Sequence, residues 1–296
     1  MTWLQMSIQT TKANVEAWSD ALIAAGAVSI TLDEDTQQPI YELSPDHHPL
    51  WDRMSLIALF PAEYDSDLLK LRLSNQIDSI VLDQAVWKNI AEEDWLLKWQ
   101  ENLQPMLFGN KLWVCPSWCE IPDPQAINII LDPEMAFGTG THPTTALCLE
   151  WIAENIQPGN TVVDYGCGSG ILAIAAAKLG ATKVYGIEID PVALEVSNNN
   201  ALKNNISSAV FSTYLTDQTP DVQVDVVVAN ILFNPLLELA PIIAVLLKPN
   251  GKIVLSGLLT DQAAAIQACY GQMFKDFVVT HKDEWIRIEA NLRSTI

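Results

Sequence analysis

The sequence predicts an α/β fold: a parallel sheet covered by helices on both faces, preceded by a smaller α+β unit. Three observations predict it. Apolar strands and helical segments alternate strictly from Thr161 to Tyr270, a pattern that builds parallel sheets from repeated βα units. One strand of that run ends in glycines at alternate positions, Gly166, Gly168 and Gly170, just before the helix formers Ile171-Leu-Ala-Ile-Ala-Ala-Ala-Lys178. The first ninety residues carry the order β-α-β-β-α-β, that of a ferredoxin-like split βαβ module.

The small unit, residues 1–90, begins with Trp3-Leu-Gln-Met-Ser-Ile-Gln9, which alternates as a half-buried strand does. Val15 to Ala25 has apolar residues at helical spacing and stops at Gly26. Val28–Leu32 and Arg53–Phe60 read as strands, Ser66–Ile80 as one helix with Ser66 at its N-cap, and Gln84–Ile90 as a last strand. Pro39 to Pro49 is proline-rich and reads as a loop that leaves His47 and His48 solvated. Residues 91–108 form a linker, in which Trp95, Leu96, Trp99 and Leu103 share one face of a helix ending before Pro105.

The second domain, 109–296, opens with a flanking strand pair, Leu112–Val114 and Ile127–Leu131, and a helix starting at Pro143. Its parallel strands are Val162–Asp164, Val184–Glu188, Ala209–Thr213, Val224–Asn230 and Gly251–Ser256. Helices fall at Gly170–Leu179, Pro191–Asn204, Leu236–Leu246 and Asp261–Tyr270. The tail reads as two strands, Phe274–Thr280 and Glu284–Glu289, an antiparallel hairpin that closes the sheet.

Charge and composition narrow the function. The chain carries 36 acidic against 16 basic side chains, a net charge of −20. Such a surface repels phosphate backbones, which argues against a nucleic-acid substrate and suits a basic protein partner. The first ninety residues alone hold thirteen acidic and five basic side chains. Met1-Thr-Trp-Leu-Gln-Met6 lacks a basic start and a long apolar run, so no secretory signal is expected, and no segment approaches a membrane span. The five cysteines show no paired zinc spacing, so they are expected to be reduced thiols and no metal is expected. The chain is read as a cytoplasmic monomer.

Glycine spacing selects the ligand. A dinucleotide fingerprint would put its third glycine at position 171, which is Ile171. Asp164-Tyr-Gly-Cys-Gly-Ser-Gly170, followed by a second strand ending at Glu188, has the spacing of class I S-adenosylmethionine (SAM) methyltransferases, whose fold is Rossmann-like. Ligands in such sheets lie outside the carboxyl ends of the strands, and four segments should meet there. Gly166 and Gly168 let the backbone approach the methionine part and ribose of SAM, while Asp164 orders the turn or reaches the ligand ammonium. Glu188 is the carboxylate for the two ribose hydroxyls; Asp190, before Pro191, reads as a helix N-cap. Asn230, at the end of the fourth strand, is the candidate catalytic residue, because its amide oxygen and nearby carbonyls can accept hydrogen bonds from an incoming amine. Many amino-methylating enzymes have Asn-Pro-Pro-aromatic here, whereas this chain has Asn230-Ile-Leu-Phe233. The fourth segment is Met135-Ala-Phe-Gly-Thr-Gly-Thr-His-Pro-Thr-Thr145, a ligand-facing loop in which Thr144 or Thr145 bonds the cofactor and His142 is a possible base.

Together with Leu112-Trp-Val-Cys-Pro-Ser-Trp118, Gly186-Ile-Glu-Ile-Asp-Pro191 and Val228-Ala-Asn-Ile-Leu232, these segments resemble the ribosomal protein L11 methyltransferases (PrmA) over the whole chain. The resemblance implies a class I SAM-dependent methyltransferase domain behind a ferredoxin-like domain that recognises the substrate. It implies SAM contacts at Thr145, Gly166, Glu188 and Asn230, and trimethylation of lysine ε-amines and an N-terminal amine on a basic large-subunit ribosomal protein. Family members often have Asp where this chain has Glu188, a change that keeps the charge and lengthens the arm.

Overall fold

The computed structural model describes residues 2–34, 53–91, 103–132 and 142–294, and the chain divides into two compact units, Met1–Leu103 and Gln104–Ile296. The helix expected within 92–103, the loop Pro39–Pro49 and the segment Met135–Thr141 lie wholly or almost wholly outside the described residues.

The first unit contains β1 (Thr2–Thr11), α1 (Val15–Ala24), β2 (Ser29–Glu34), β3 (Arg53–Pro61), α2 (Ser66–Leu73), α3 (Ser79–Asp83) and β4 (Val86–Ala91). Its antiparallel sheet runs β2-β3-β1-β4, the ferredoxin-like order. Alternation does the sorting: Met6, Ile8, Met54, Leu56, Ala58 and Phe60 are buried on one face, where Trp18 and Leu22 of α1 and Leu69 and Leu73 of α2 cover them. The expected helix Ser66–Ile80 is two helices. Leu69, Leu73 and Ile77 are all buried at four-residue spacing, so the apolar period runs through the break. The chain turns there, and Asp78 caps a new helix by accepting from the Ile80 N–H at 2.8 Å. Asp65, not Ser66, is the N-cap of α2, its carboxylate accepting from the N–H groups of Asp67 and Leu68 at 2.8 and 3.1 Å.

The second unit opens with β5 (Met106–Phe108), β6 (Leu112–Cys115) and β7 (Ile127–Ile130), a small sheet in which β6 and β7 are parallel. It then contains α4 (Pro143–Asn155), β8 (Thr161–Tyr165), α5 (Ile171–Lys178), β9 (Lys183–Glu188), α6 (Pro191–Lys203), β10 (Phe211–Leu215) and β11 (Val224–Asn230). After these come α7 (Phe233–Val245), β12 (Leu247–Leu259), α8 (Ala263–Tyr270), β13 (Phe274–Lys282) and β14 (Trp285–Leu292). The main sheet runs β10-β9-β8-β11-β12-β14-β13, parallel except for β14, which is antiparallel to both neighbours. Strand order reverses between β8 and β11, the switch point where such sheets bind ligands.

Both faces of this sheet are dry. Val226 and Val228 pack with α4 and α5, whereas Val227 and Ala229 pack with Leu236 and Ile243 of α7, so β11 reads as an unbroken apolar run. Strand β5 falls inside the expected linker, and several boundaries differ from the sequence reading: β10 starts at Phe211 rather than Ala209, α7 at Phe233 rather than Leu236 and β12 at Leu247 rather than Gly251, while β14 runs on to Leu292 rather than ending at Glu289. Asn204 at the end of α6 accepts from the Ile130 N–H and donates to the Ile130 carbonyl, both at 2.8 Å, which satisfies the backbone of β7 where no strand follows. Among the described residues no helix is long and apolar enough to cross a membrane, and no group of side chains could hold a metal ion.

Candidate active site

The glycine turn joins β8 to α5, and its shape follows from its glycines. Gly166, Gly168 and Gly170 have φ of 76°, 51° and 80°, a region that side chains with a Cβ rarely enter. The turn is pinned to the next strand, because the N–H groups of Gly166 and Cys167 both donate to the Ile187 carbonyl, at 2.7 and 3.1 Å. Asp164 lies beneath it, 1% exposed. Its Oδ2 accepts from the Ala173 N–H at 2.9 Å, tying the strand to the first turn of α5, while its Oδ1 is buried with no partner. Burial pushes the Asp164 carboxyl up to about 7; the Ala173 bond opposes this and the nearby Glu188 adds to it.

Glu188 ends β9. Its carboxylate accepts from the Gly168 N–H at 3.0 Å and from the N–H groups of Ile189 and Asp190 at 2.8 and 3.3 Å. The acidic side chain thus meets the glycine turn at the adjacent carboxyl ends of β8 and β9. Asp190 accepts from the Val192 N–H at 2.8 Å, the N-cap of α6, as its place before Pro191 predicts.

Asn230 ends β11 beside these groups. Its Nδ2 donates to Thr145 Oγ1 at 3.2 Å, so the amide is oriented by α4. Thr144 and Thr145 are buried in the first turn of that helix, at 2% and 1% exposure. His142 is its N-cap: Nδ1 lies 2.7 Å from Thr144 Oγ1 and accepts from the Thr144 N–H at 3.4 Å. Burial holds its imidazole below the ordinary value, with Glu284 opposing. The geometry gives His142 a capping task at Nδ1 that the base reading did not include.

Several supporting residues have no motif in the sequence. One face of β14 clasps α4: Trp285 packs against the His142 ring with centroids 4.7 Å apart, Arg287 donates to the Leu147 carbonyl at 3.0 Å, and Glu289 accepts from the Trp151 indole N–H. These are positions i, i+2 and i+4 of one strand, a signal visible only once the hairpin is known to face α4. Burial raises the Cys148 thiol to about 12 and Cys167 well above its ordinary value, which keeps both in the protonated form.

The carboxyl ends of β8, β9 and β11 therefore gather a glycine turn, a backbone-held carboxylate and an oriented amide. The sequence model of the family "Ribosomal protein L11 methyltransferase (PrmA)" matches residues 2–293. The chain belongs to this family. The ribosomal protein L11 methyltransferases of Shewanella amazonensis and of Pseudomonas aeruginosa strain LESB58 are 44% and 46% identical to it, each covering 99% of this chain and 100% of the relative. A crystal structure of a ribosomal protein L11 methylase from Lactobacillus delbrueckii subsp. bulgaricus is 30% identical, with a TM-score of 0.59 over 64% of this chain and all of that one. The catalytic unit has the class I SAM-dependent methyltransferase fold, and the family's cofactor is SAM. The residues present fit that cofactor. Asp164 Oδ1 is a buried acceptor that the protein does not satisfy, a place for a cationic group, and the glycine turn brings bare backbone alongside it.

Proposed function

We propose that this protein binds SAM across the ends of β8, β9 and β11 and methylates amino groups of ribosomal protein L11, both lysine ε-amines and an N-terminal amine, up to the trimethyl state. The observation that carries the site is the meeting of the Gly166 turn, Glu188 and Asn230 at the switch point of the sheet. When bound, SAM supplies a sulfonium-activated methyl carbon. Gly166 and Gly168 give it backbone to lie against, Glu188 takes the ribose hydroxyls, and Asp164 and the Thr144–Thr145 turn hold the amino-acid end.

Asn230 receives the amine. A lysine has a reference pKa near ~10.4, and only its neutral form has the lone pair that methylation needs. Thr145 occupies the Nδ2 of Asn230 and fixes the amide plane, which leaves the amide oxygen to accept from an amine N–H. Taking the amine out of water disfavours its charged form, and the amide oxygen then aims the lone pair of the neutral amine at the methyl carbon. The net charge of −20 suits a basic protein substrate. The first unit recognises that substrate and the second, Gln104–Ile296, performs the transfer; the expected linker 91–108 gives up its last residues to β5 of the second unit. The enzyme works as a monomer in the cytoplasm, without membrane or nucleic-acid contact.

Incubating the protein with methyl-labelled SAM and purified ribosomal proteins tests this. Label should enter one basic ribosomal protein. Label confined to RNA or to small molecules would overturn the substrate assignment, and tight SAM binding without transfer would overturn the enzymatic one.

A further inference from the structure

The chain directly after Asn230 is gripped from two sides. Ile231 leaves the end of β11 and lies between Gly166 of the cofactor turn and Gly257 of β12. A Cβ on Gly166 would come within 2.3 Å of Ile231 Cγ2. A Cβ on Gly257 would come within 2.3 Å of the Ile231 carbonyl oxygen, 2.8 Å of its carbon and 3.1 Å of its nitrogen. The second set is backbone, which cannot swing aside as a side chain can. Gly257 also has a φ of 82°, so a side chain there is strained before any contact is counted.

Strand β12 is shaped to make this approach. Its pairing with β14 slips between Leu255 and Leu258, the mark of a bulge, and Ser256 and Gly257 fall inside the slip. Ser256 still pairs with Asn230 on the other side and turns its hydroxyl to the Ile286 carbonyl at 2.9 Å. The bulge brings the backbone of Gly257 over the Ile231 peptide, one residue past the catalytic amide. The segment that receives the amine is thereby packed on the turn that holds the cofactor. Because α7 starts at Phe233, Ile231 and Leu232 are the whole connection between Asn230 and the next helix.

We propose that Gly257 is a positioning residue for methyl transfer: with Gly166 it clamps Ile231 and so sets the distance of Asn230 from the cofactor. This rests on the site reading above and adds to it a residue that touches neither cofactor nor amine. Displacement of a reacting group by about 1 Å is enough to cost a large factor in rate while leaving cofactor contacts in place.

The test compares Gly257→Ala with Gly159→Ala. Gly159 has a φ of 98° but nothing within 4 Å of its would-be Cβ, so it carries the backbone strain without the clash. Wild type must first bind SAM in calorimetry and methylate L11; failure there would contradict the site reading and not the clamp. With that in hand, Gly257→Ala should lose at least about tenfold in kcat while its Kd for SAM changes by less than about threefold, measured well below its melting temperature, and Gly159→Ala should keep kcat. Should Gly257→Ala yield no folded protein, Ile231→Ala carries the same test, because it removes the side chain that fills the gap beside Gly166. It should lower kcat by a similar factor with SAM affinity kept. Unchanged kcat in whichever of these variants folds, or equal losses in Gly257→Ala and Gly159→Ala, would overturn the proposal.

Discussion

Asp164→Asn should make the ligand-free protein more stable at pH 8 and weaken its binding of SAM. Burial raises the Asp164 carboxyl from 3.8 to about 7. The native state therefore holds a proton that the unfolded chain has lost across that window. Its contribution to stability is fully present below about pH 4 and disappears as pH rises through about 7. A shift of this size amounts to about 4 kcal/mol of destabilisation once the group is ionised. Asparagine keeps an acceptor for the Ala173 N–H and carries no charge, so thermal unfolding at pH 8 should rise by about 10 °C, with the gain shrinking as the pH is lowered towards 4. Calorimetry on the same variant should show SAM affinity reduced by about tenfold or more, since the buried charge that matches the ligand ammonium is gone. A variant that is less stable than wild type at every pH would mean that the carboxylate is already satisfied without ligand.

Asn230→Ala should remove most of the activity, by a factor larger than any it costs in cofactor binding. The amide is fixed by Thr145 at 3.2 Å, so its oxygen is a preorganised acceptor rather than a mobile one. Loss of one such group costs on the order of a hundredfold in kcat. The pH dependence of the residual rate should stay that of wild type, because the neutral amine is favoured by desolvation and not by the amide. Steady-state kinetics on L11 between pH 6.5 and 9 would measure both effects. A loss seen only in KM for SAM would place Asn230 at the cofactor and not at the amine.

The parts of this site legible in the sequence are those written in local chemistry. Three glycines at alternate positions announce a turn of positive φ, and an acid before Asp-Pro marks the end of β9. The strict alternation of apolar strands and helices yields the parallel sheet, since a strand buried on both faces reads as an unbroken run such as Val226–Ala229. What was hidden depends on contacts across the chain. The helix expected over Ser66–Ile80 breaks although its buried residues keep helical spacing, because Asp78 offers a second cap. Gly257 lies just past the expected strand Gly251–Ser256, and its place is visible only where β12 bulges over Ile231. Arg287 and Glu289 lie in the expected strand Glu284–Glu289, where nothing local shows that they hold α4 through Leu147 and Trp151. His142 reads from the sequence as a possible base, whereas in the fold its Nδ1 serves the helix cap.

The central claim is that Glu188, held by three backbone N–H groups beside the glycine turn, is the ribose anchor of a SAM cleft. Titration calorimetry of SAM into wild type and Glu188→Ala tests it most directly. Loss of two charge-assisted hydrogen bonds should raise Kd by about a hundredfold or more, with Glu188→Gln between the two. Equal affinity in wild type and Glu188→Ala, or a wild-type protein that takes up a nicotinamide dinucleotide and ignores SAM, would contradict the account.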